Sequence, residues 1–353
     1  MTSFFNKIIE IYKDQKPFVA YRKPNEELIS LLVQNNNKLI KLKDYNEQGF
    51  IFMPFNNNGV KVLFPLNESS TFHTKITQYN ELSIRDNFVK ISSDVNFENY
   101  KEAHIALVTK GLNFINEGKA QKVVLSRKET IEISHFNLVN SFKKMLKNYL
   151  NAFVYVWFHP KVGLWMGATP ERLLNVKNNS FKTMALAGTQ PFLGTTDVIW
   201  EKKEKQEQQF VTDFIIDSIK EKLNVKEIIG PYTIKAGSLV HLRTDIVGEL
   251  LYLNMLEDLV TALHPTPAIC GLPKSTALQF ILDNENYART YYSGYFGELN
   301  INNSTQLFVN LRCMHIINNK AELFIGGGIT VGSIPEKEFE ETVSKAQIMK
   351  TIL

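Results

Sequence analysis

Along this chain the apolar residues change rhythm from segment to segment, and each rhythm predicts an element. AFVYVWFHP, from Ala152, and VGLWMGA, from Val162, are apolar almost without interruption, the pattern of strands covered on both faces. GFIFMPFNNNGVKVLFPL, from Gly49, predicts two strands about an Asn/Gly turn, and RLLNVKNNSFKTMALAG, from Arg172, a hairpin turning at Asn178-Asn179. NFENYKEAHIALVTKGLNFINEGKA has helical spacing, with Phe97, Tyr100, His104, Leu107 and Phe114 near one face. Other helices are expected near Asn137 to Leu150, from about Val198 to Leu223, and after Pro335. The stretch from Tyr291 to Ile329 reads as three antiparallel strands joined by Asn-rich turns. Hairpins outnumber strand-helix-strand units, so the expected class is α+β, with large, mainly antiparallel sheets flanked by helices.

Composition narrows the function classes. The 353 residues hold 40 basic and 36 acidic side chains spread along the chain, a net charge of +4 with no basic stripe of the kind nucleic acid requires. No apolar run approaches the roughly 20 residues of a membrane helix, and the N-terminus lacks the uncharged core of a signal peptide. Two cysteines, Cys270 and Cys313, are too few for a disulfide framework or a cysteine zinc site. A cytoplasmic monomer acting on a small molecule is expected, with neither nucleic acid nor membrane as partner.

Six stretches carry chemical signals. In KVVLSR, Lys122 opens an apolar strand, where an inward-facing lysine must be paired or give up its proton, unless it only marks the strand's edge. In GATPERLL, Glu171 ends a buried strand, where burial would raise its pKa and suit it to general acid work; a salt bridge to Arg172 is the plainer reading. Glu204 and Glu207 lie at i, i+3 in EKKEKQEQQFVTDFI. Glu338, Glu341 and Lys345 share a helix face in PEKEFEETVSKAQIM. Each helix alone reads as a solvated, salt-bridged surface; facing each other, the two would offer hard oxygen ligands suited to magnesium. FIGGGITVGS places three glycines at the end of an apolar strand, where the backbone must approach something closely or take positive φ, and a glycine turn leading to the last helix would favour an anion, although its spacing is neither a Rossmann nor a P-loop pattern. ALHPTPAICGLP is a proline-stiffened loop.

KVVLSR, GATPERLL, ALAGTQ, HLRTDIVG, LHPTPAICGLP, NLRCMHI, GGGITVGS and PEKEFEETVSKA follow one another in the order seen in the chorismate-utilising enzymes, and the chain resembles the isochorismate synthases among them. The resemblance runs from about residue 95 to 353, with 1–94 a less distinctive part of the same fold. It implies one large domain of two opposed sheets with the active site between them. It also implies that Lys122 activates water and Glu171 protonates a departing hydroxyl. Glu207 and Glu341 correspond to direct magnesium ligands, and Glu204 and Glu338 to water-mediated ones. Arg312 and Lys345 correspond to residues that neutralise substrate carboxylates, helped by amides near Gly327 and Gly328. Gly188, Ala268 and Tyr292 are expected to line the pocket, and His241 to approach the ring carboxylate.

The reaction implied is Mg²⁺-dependent isomerisation of chorismate to isochorismate, the precursor of menaquinone and of catecholate siderophores. Water adds at ring position 2 as the 4-hydroxyl leaves, so Lys122 must act as an uncharged amine. Ammonia-using relatives differ at the Lys122 position. Relatives that attack the ring covalently have a lysine where this chain has Ala187. Salicylate synthases, which go on to eliminate pyruvate, are the alternative. A non-catalytic binder of acidic metabolites would have no use for both Lys122 and Glu171.

Overall fold

A computed structural model describes residues 2–56, 58–76, 97–220, 223–236, 239–252 and 255–353. Seven α-helices, α1 (Thr2–Lys13), α2 (Phe97–Asn116), α3 (Leu138–Asn148), α4 (Lys202–Ile219), α5 (Leu256–Leu263), α6 (Lys274–Asn284) and α7 (Pro335–Lys350), flank two antiparallel sheets among the described residues. The first sheet has nine strands in the order Gly271–Leu272, Lys122–Glu132, Lys320–Thr330, Cys313–Ile317, Gly163–Thr169, Phe153–His159, Phe18–Arg22, Leu28–Gln34 and Ser69–Lys75. The second has eight, in the order Asn224–Ala236, Leu239–Glu249, Ser180–Pro191, Arg172–Lys177, Ser304–Val309, Tyr295–Ile301, Gly49–Met53 and Val62–Pro65. The expected α+β class with two sheets is the one observed, and strands from before residue 95 enter both sheets.

Local chemistry accounts for many boundaries. The all-apolar strand Phe153–His159 is buried at every position. Asn137 caps α3 by accepting from the Asn140 amide at 3.0 Å, and Pro335 starts α7, where its missing N–H costs nothing. The Asn-rich turns place Asn302, Asn303, Asn318 and Asn319 at positive φ, as tight hairpin turns require. An aromatic cluster, with Phe52 stacked 4.5 Å from Trp157, fills the space between the sheets.

Three expectations need correction. The segment from Tyr291 contains four strands, not three, and they divide between the sheets: Tyr295–Ile301 and Ser304–Val309 belong to one, Cys313–Ile317 and Lys320–Thr330 to the other. On α2 the buried face is His104, Val108, Gly111 and Ile115, while Phe97 is exposed, because the helix rolls its small Gly111 against Leu125. The triple glycine lies in the apolar strand Lys320–Thr330, as expected, but it is no turn: Gly326, Gly327 and Gly328 are paired to Ser126, Leu125 and Val124. Residues 77–96 and the predicted tail of α4 at 221–222 lie outside the described residues.

Candidate active site

The chain passes between the sheets several times, and two neighbouring crossings carry polar residues of interest. Strand Gly163–Thr169 of the first sheet leads through Pro170 and Glu171 into Arg172–Lys177 of the second. Strand Ser304–Val309 leads back through Asn310, Leu311 and Arg312 into Cys313–Ile317. The two crossings are stitched together: the Val309 amide donates to the Glu171 carbonyl at 3.0 Å, and the Ala168 amide to the Arg312 carbonyl at 3.1 Å. Asn310, buried, accepts from the Tyr155 hydroxyl at 2.7 Å and donates to the Tyr291 carbonyl at 2.9 Å, tying the Tyr292 segment to the same point. Arg312 takes φ 48°, a left-handed conformation that turns the chain.

Beside these crossings lies a cavity of about 190 Å³. Glu171, Gly188, Glu204, Glu207, His241, Ala268, Tyr292, Arg312, Gly327, Gly328, Glu338, Glu341 and Lys345 all line it, as do Ala187 and Lys203. Lys122 stands just behind the lining, 0% exposed, with its ammonium 2.7 Å from Glu207 Oε1. Of the two readings open for Lys122, the inward-facing one holds, and the side chain is ion-paired. Close approach explains two of the glycines: a Cβ on Gly328 would lie 2.9 Å from both Glu207 Oε1 and Lys122 Cε, and one on Gly326 2.8 Å from the Tyr292 hydroxyl.

The electrostatics sort the groups by role. Burial pushes the Glu171 carboxyl up to about 7, against the opposing pull of Lys122 and Arg312. Burial would raise Glu207 too, but the charge and hydrogen bond of Lys122, with Lys345 and Lys203 nearby, hold it below the usual carboxylate range. Burial and the adjacent Arg312 press His241 down to about 3, so its ring is neutral. Its Nδ1 is 3.1 Å from the Gly188 carbonyl, which can only accept, so Nδ1 carries the proton. Nε2 then accepts from Arg312 Nη2 at 3.2 Å. His241, expected beside a substrate carboxylate, lines the cavity and holds the guanidinium of Arg312.

Three lysines answer three of the four glutamates: Lys122 with Glu207 at 2.7 Å, Lys203 with Glu338 at 3.2 Å, and Lys345 with Glu341 at 2.7 Å. Lys345 also donates to the Gly326 carbonyl at 3.0 Å. The fourth, Glu204, has a buried Oε2 with no hydrogen-bond partner. Among the described residues no three acidic, histidine or cysteine side chains converge as a ready-made metal cage. The donor set nonetheless fits magnesium, which takes few carboxylates and keeps several waters: four carboxylates line one cavity, one carrying an orphaned oxygen, beside a strand whose glycines leave room. Lys203 bridges α4 to α7, a role that its surface-like surroundings in EKKEKQEQQ did not reveal; Asn310 was equally silent, since a buried tether has no local signal.

The description "Chorismate binding enzyme" matches residues 64–353. Isochorismate synthase MenF of Escherichia coli (strain K12) is 30% identical over 251 residues, which are 68% of this chain and 57% of that protein. Anthranilate synthase component 1 of Thermococcus kodakarensis is 26% identical over 272 residues, 72% of this chain and 60% of that protein. The match spans less than two thirds of the length of either relative. The solved structure of MenF, the menaquinone-specific isochorismate synthase from Escherichia coli, superposes with a TM-score of 0.78 at 20% identity, covering 96% of this chain and 88% of that one, and shares the fold. With the family's match extending over both chain crossings and every residue of the cavity described above, the chain belongs to the chorismate-binding enzymes.

Proposed function

We propose that the protein is a cytoplasmic, monomeric isochorismate synthase that isomerises chorismate to isochorismate with magnesium as cofactor, supplying menaquinone or siderophore synthesis. The observation that carries this reading is the pairing of opposite proton-transfer groups at one cavity. Lys122 is a buried amine, and Glu171 a buried carboxyl poised near 7. Ala187 stands where a ring-attacking lysine would be needed for the covalent route.

Glu207 and Glu341 would hold the ion directly, and Glu204 and Glu338 through water. Bound magnesium supplies positive charge for the ring carboxylate and for the developing transition state. Arg312, fixed by neutral His241, and Lys345 neutralise the substrate's carboxylates. Lys122 accepts the proton of the water that adds at ring position 2, which requires it to leave its pairing with Glu207 and act as a free amine. Glu171 delivers its proton to the 4-hydroxyl as the double bonds shift, and the two transfers together convert a poor nucleophile and a poor leaving group into workable ones.

Incubation with chorismate and magnesium, followed by chromatography and by lactate dehydrogenase detection of pyruvate, tests the proposal. Isochorismate with no pyruvate is expected. Pyruvate stoichiometric with chorismate loss would establish the salicylate reaction, and tight binding without turnover a non-catalytic protein.

A further inference from the structure

A second cavity, of about 520 Å³, lies behind the wall that Pro170 and Arg312 present to the first, and both residues line both spaces. Its other walls are the end of α3 and the segment after it, from Lys147 to Ala152, the outer half of α7 at Ser344, Gln347 and Ile348 with Thr351 just beyond, and Lys235. Tyr149 closes one side, its hydroxyl donating to the Ile348 carbonyl at 2.8 Å.

The charges on this lining have one sign. Lys147, Lys235 and Arg312 contribute to it, and no aspartate or glutamate does among the described residues. The end of α3 would normally add negative potential here, since the last carbonyls of a helix are unsatisfied. That potential is answered from within: the wholly buried Arg22 donates to the carbonyls of Leu146 at 3.3 Å, Ala152 at 3.1 Å and Tyr149. The carbonyls turn inward to Arg22, and the cavity is left to its cations. A recess lined by one charge sign concentrates ions of the other.

We propose that the second cavity is an antechamber for a small dicarboxylate, in which Lys147 and Lys235 gather the dianion and Arg312 receives it at the wall of the reaction cavity. That the dianion is chorismate rests on the function proposed above; the anion-gathering itself does not.

Two measurements separate the claims. In the Lys147→Met/Lys235→Met double variant, kcat/KM for chorismate at low salt should fall about 5- to 20-fold with kcat unchanged, and its decline with ionic strength should flatten. Independently of any turnover, Asn151→Cys places a thiol on the exposed rim of the cavity, while native Cys270 and Cys313 are buried. The ratio of its alkylation rates by iodoacetate and iodoacetamide should drop severalfold when both lysines are removed. An unchanged ratio overturns the cationic cavity. A dropped ratio with an unchanged kcat/KM overturns the antechamber. A dropped ratio in a protein that does not turn over chorismate leaves the anion site standing and removes the isochorismate reading alone.

Discussion

The ammonium of Lys122 lies 2.7 Å from Oε1 of Glu207, so the residue assigned to take a proton is ion-paired with a residue assigned to hold a cation. The two assignments are therefore coupled: whatever draws Glu207 away also releases Lys122. Lys122→Ala should lower turnover by a factor on the order of 10²–10⁴, and Lys122→Arg should fail as well, because guanidinium cannot accept water's proton. Magnesium should bind Lys122→Ala several-fold more tightly than the wild type, since Glu207 no longer has to leave a partner. Isochorismate formation and calorimetric titration with magnesium, side by side, check both; an active Lys122→Arg enzyme would make the lysine structural.

A pH limb should report Glu171. With its carboxyl raised to about 7, it is protonated below that value and loses its proton above it, so kcat/KM should decline as pH rises through about 7. Stability carries the same sign. The folded state holds this proton more firmly than the unfolded state, so the contribution is complete below the unfolded value and is lost as pH rises through the folded one. Glu171→Gln should remove the kinetic limb along with roughly 10²-fold or more of the rate, while melting at a higher temperature than the wild type above pH 7. A pH–rate profile and thermal scans at pH 5 and 8 provide the test.

Chelation should abolish activity, and magnesium should restore it. Glu207→Ala and Glu341→Ala should each remove turnover while circular dichroism shows the fold intact, with Glu207→Ala melting at a lower temperature because it leaves the buried Lys122 without its partner. Full turnover in excess EDTA would overturn the magnesium assignment.

Arg289 should matter for stability beyond its chemistry. It meets Glu285 at 2.6 Å with both side chains 2% exposed, and it also donates to the carbonyls of Ile269 at 2.9 Å and Val124 at 2.8 Å. It thereby fastens the proline-rich loop to the strand that carries Lys122. Arg289→Met leaves a buried carboxylate without its partner and should cost about 3–5 kcal/mol in urea unfolding. Arg289→Lys should recover only part, because one ammonium cannot reach three acceptors in a planar fork.

Much of this was legible before any coordinates, and the reasons are physical. Phe153–His159 announces itself because a strand covered on both faces can hardly be anything but apolar. Asn178-Asn179 announces its turn because few residues tolerate positive φ. The carboxylates of α4 and α7 were placed on their helices by spacing alone. Hidden from such reading was every feature that depends on who lies opposite. The strands before and after Asn310 look alike along the chain, and only pairing shows that they join different sheets. Lys203 and Lys345 look like solvated surface until their glutamate partners arrive. The triple glycine implied a special need, but a turn and a crowded strand ask for glycine in equal measure.

That crowding makes three adjacent glycines obey different rules of inheritance. A methyl group at Gly327 would find its nearest neighbour, Glu338 Oε2, at an ordinary 3.6 Å, whereas one at Gly326 or Gly328 would strike the Tyr292 hydroxyl, or Glu207 and Lys122, at 2.8–2.9 Å. Natural variation among descendants of this sequence should then be alanine-tolerant at the middle position and nearly forbidden on either side. Hydrogen atoms thus act as the gauge that sets how near the strand may come to the carboxylates, and drift of a single carbon there would close the space in which the reaction occurs.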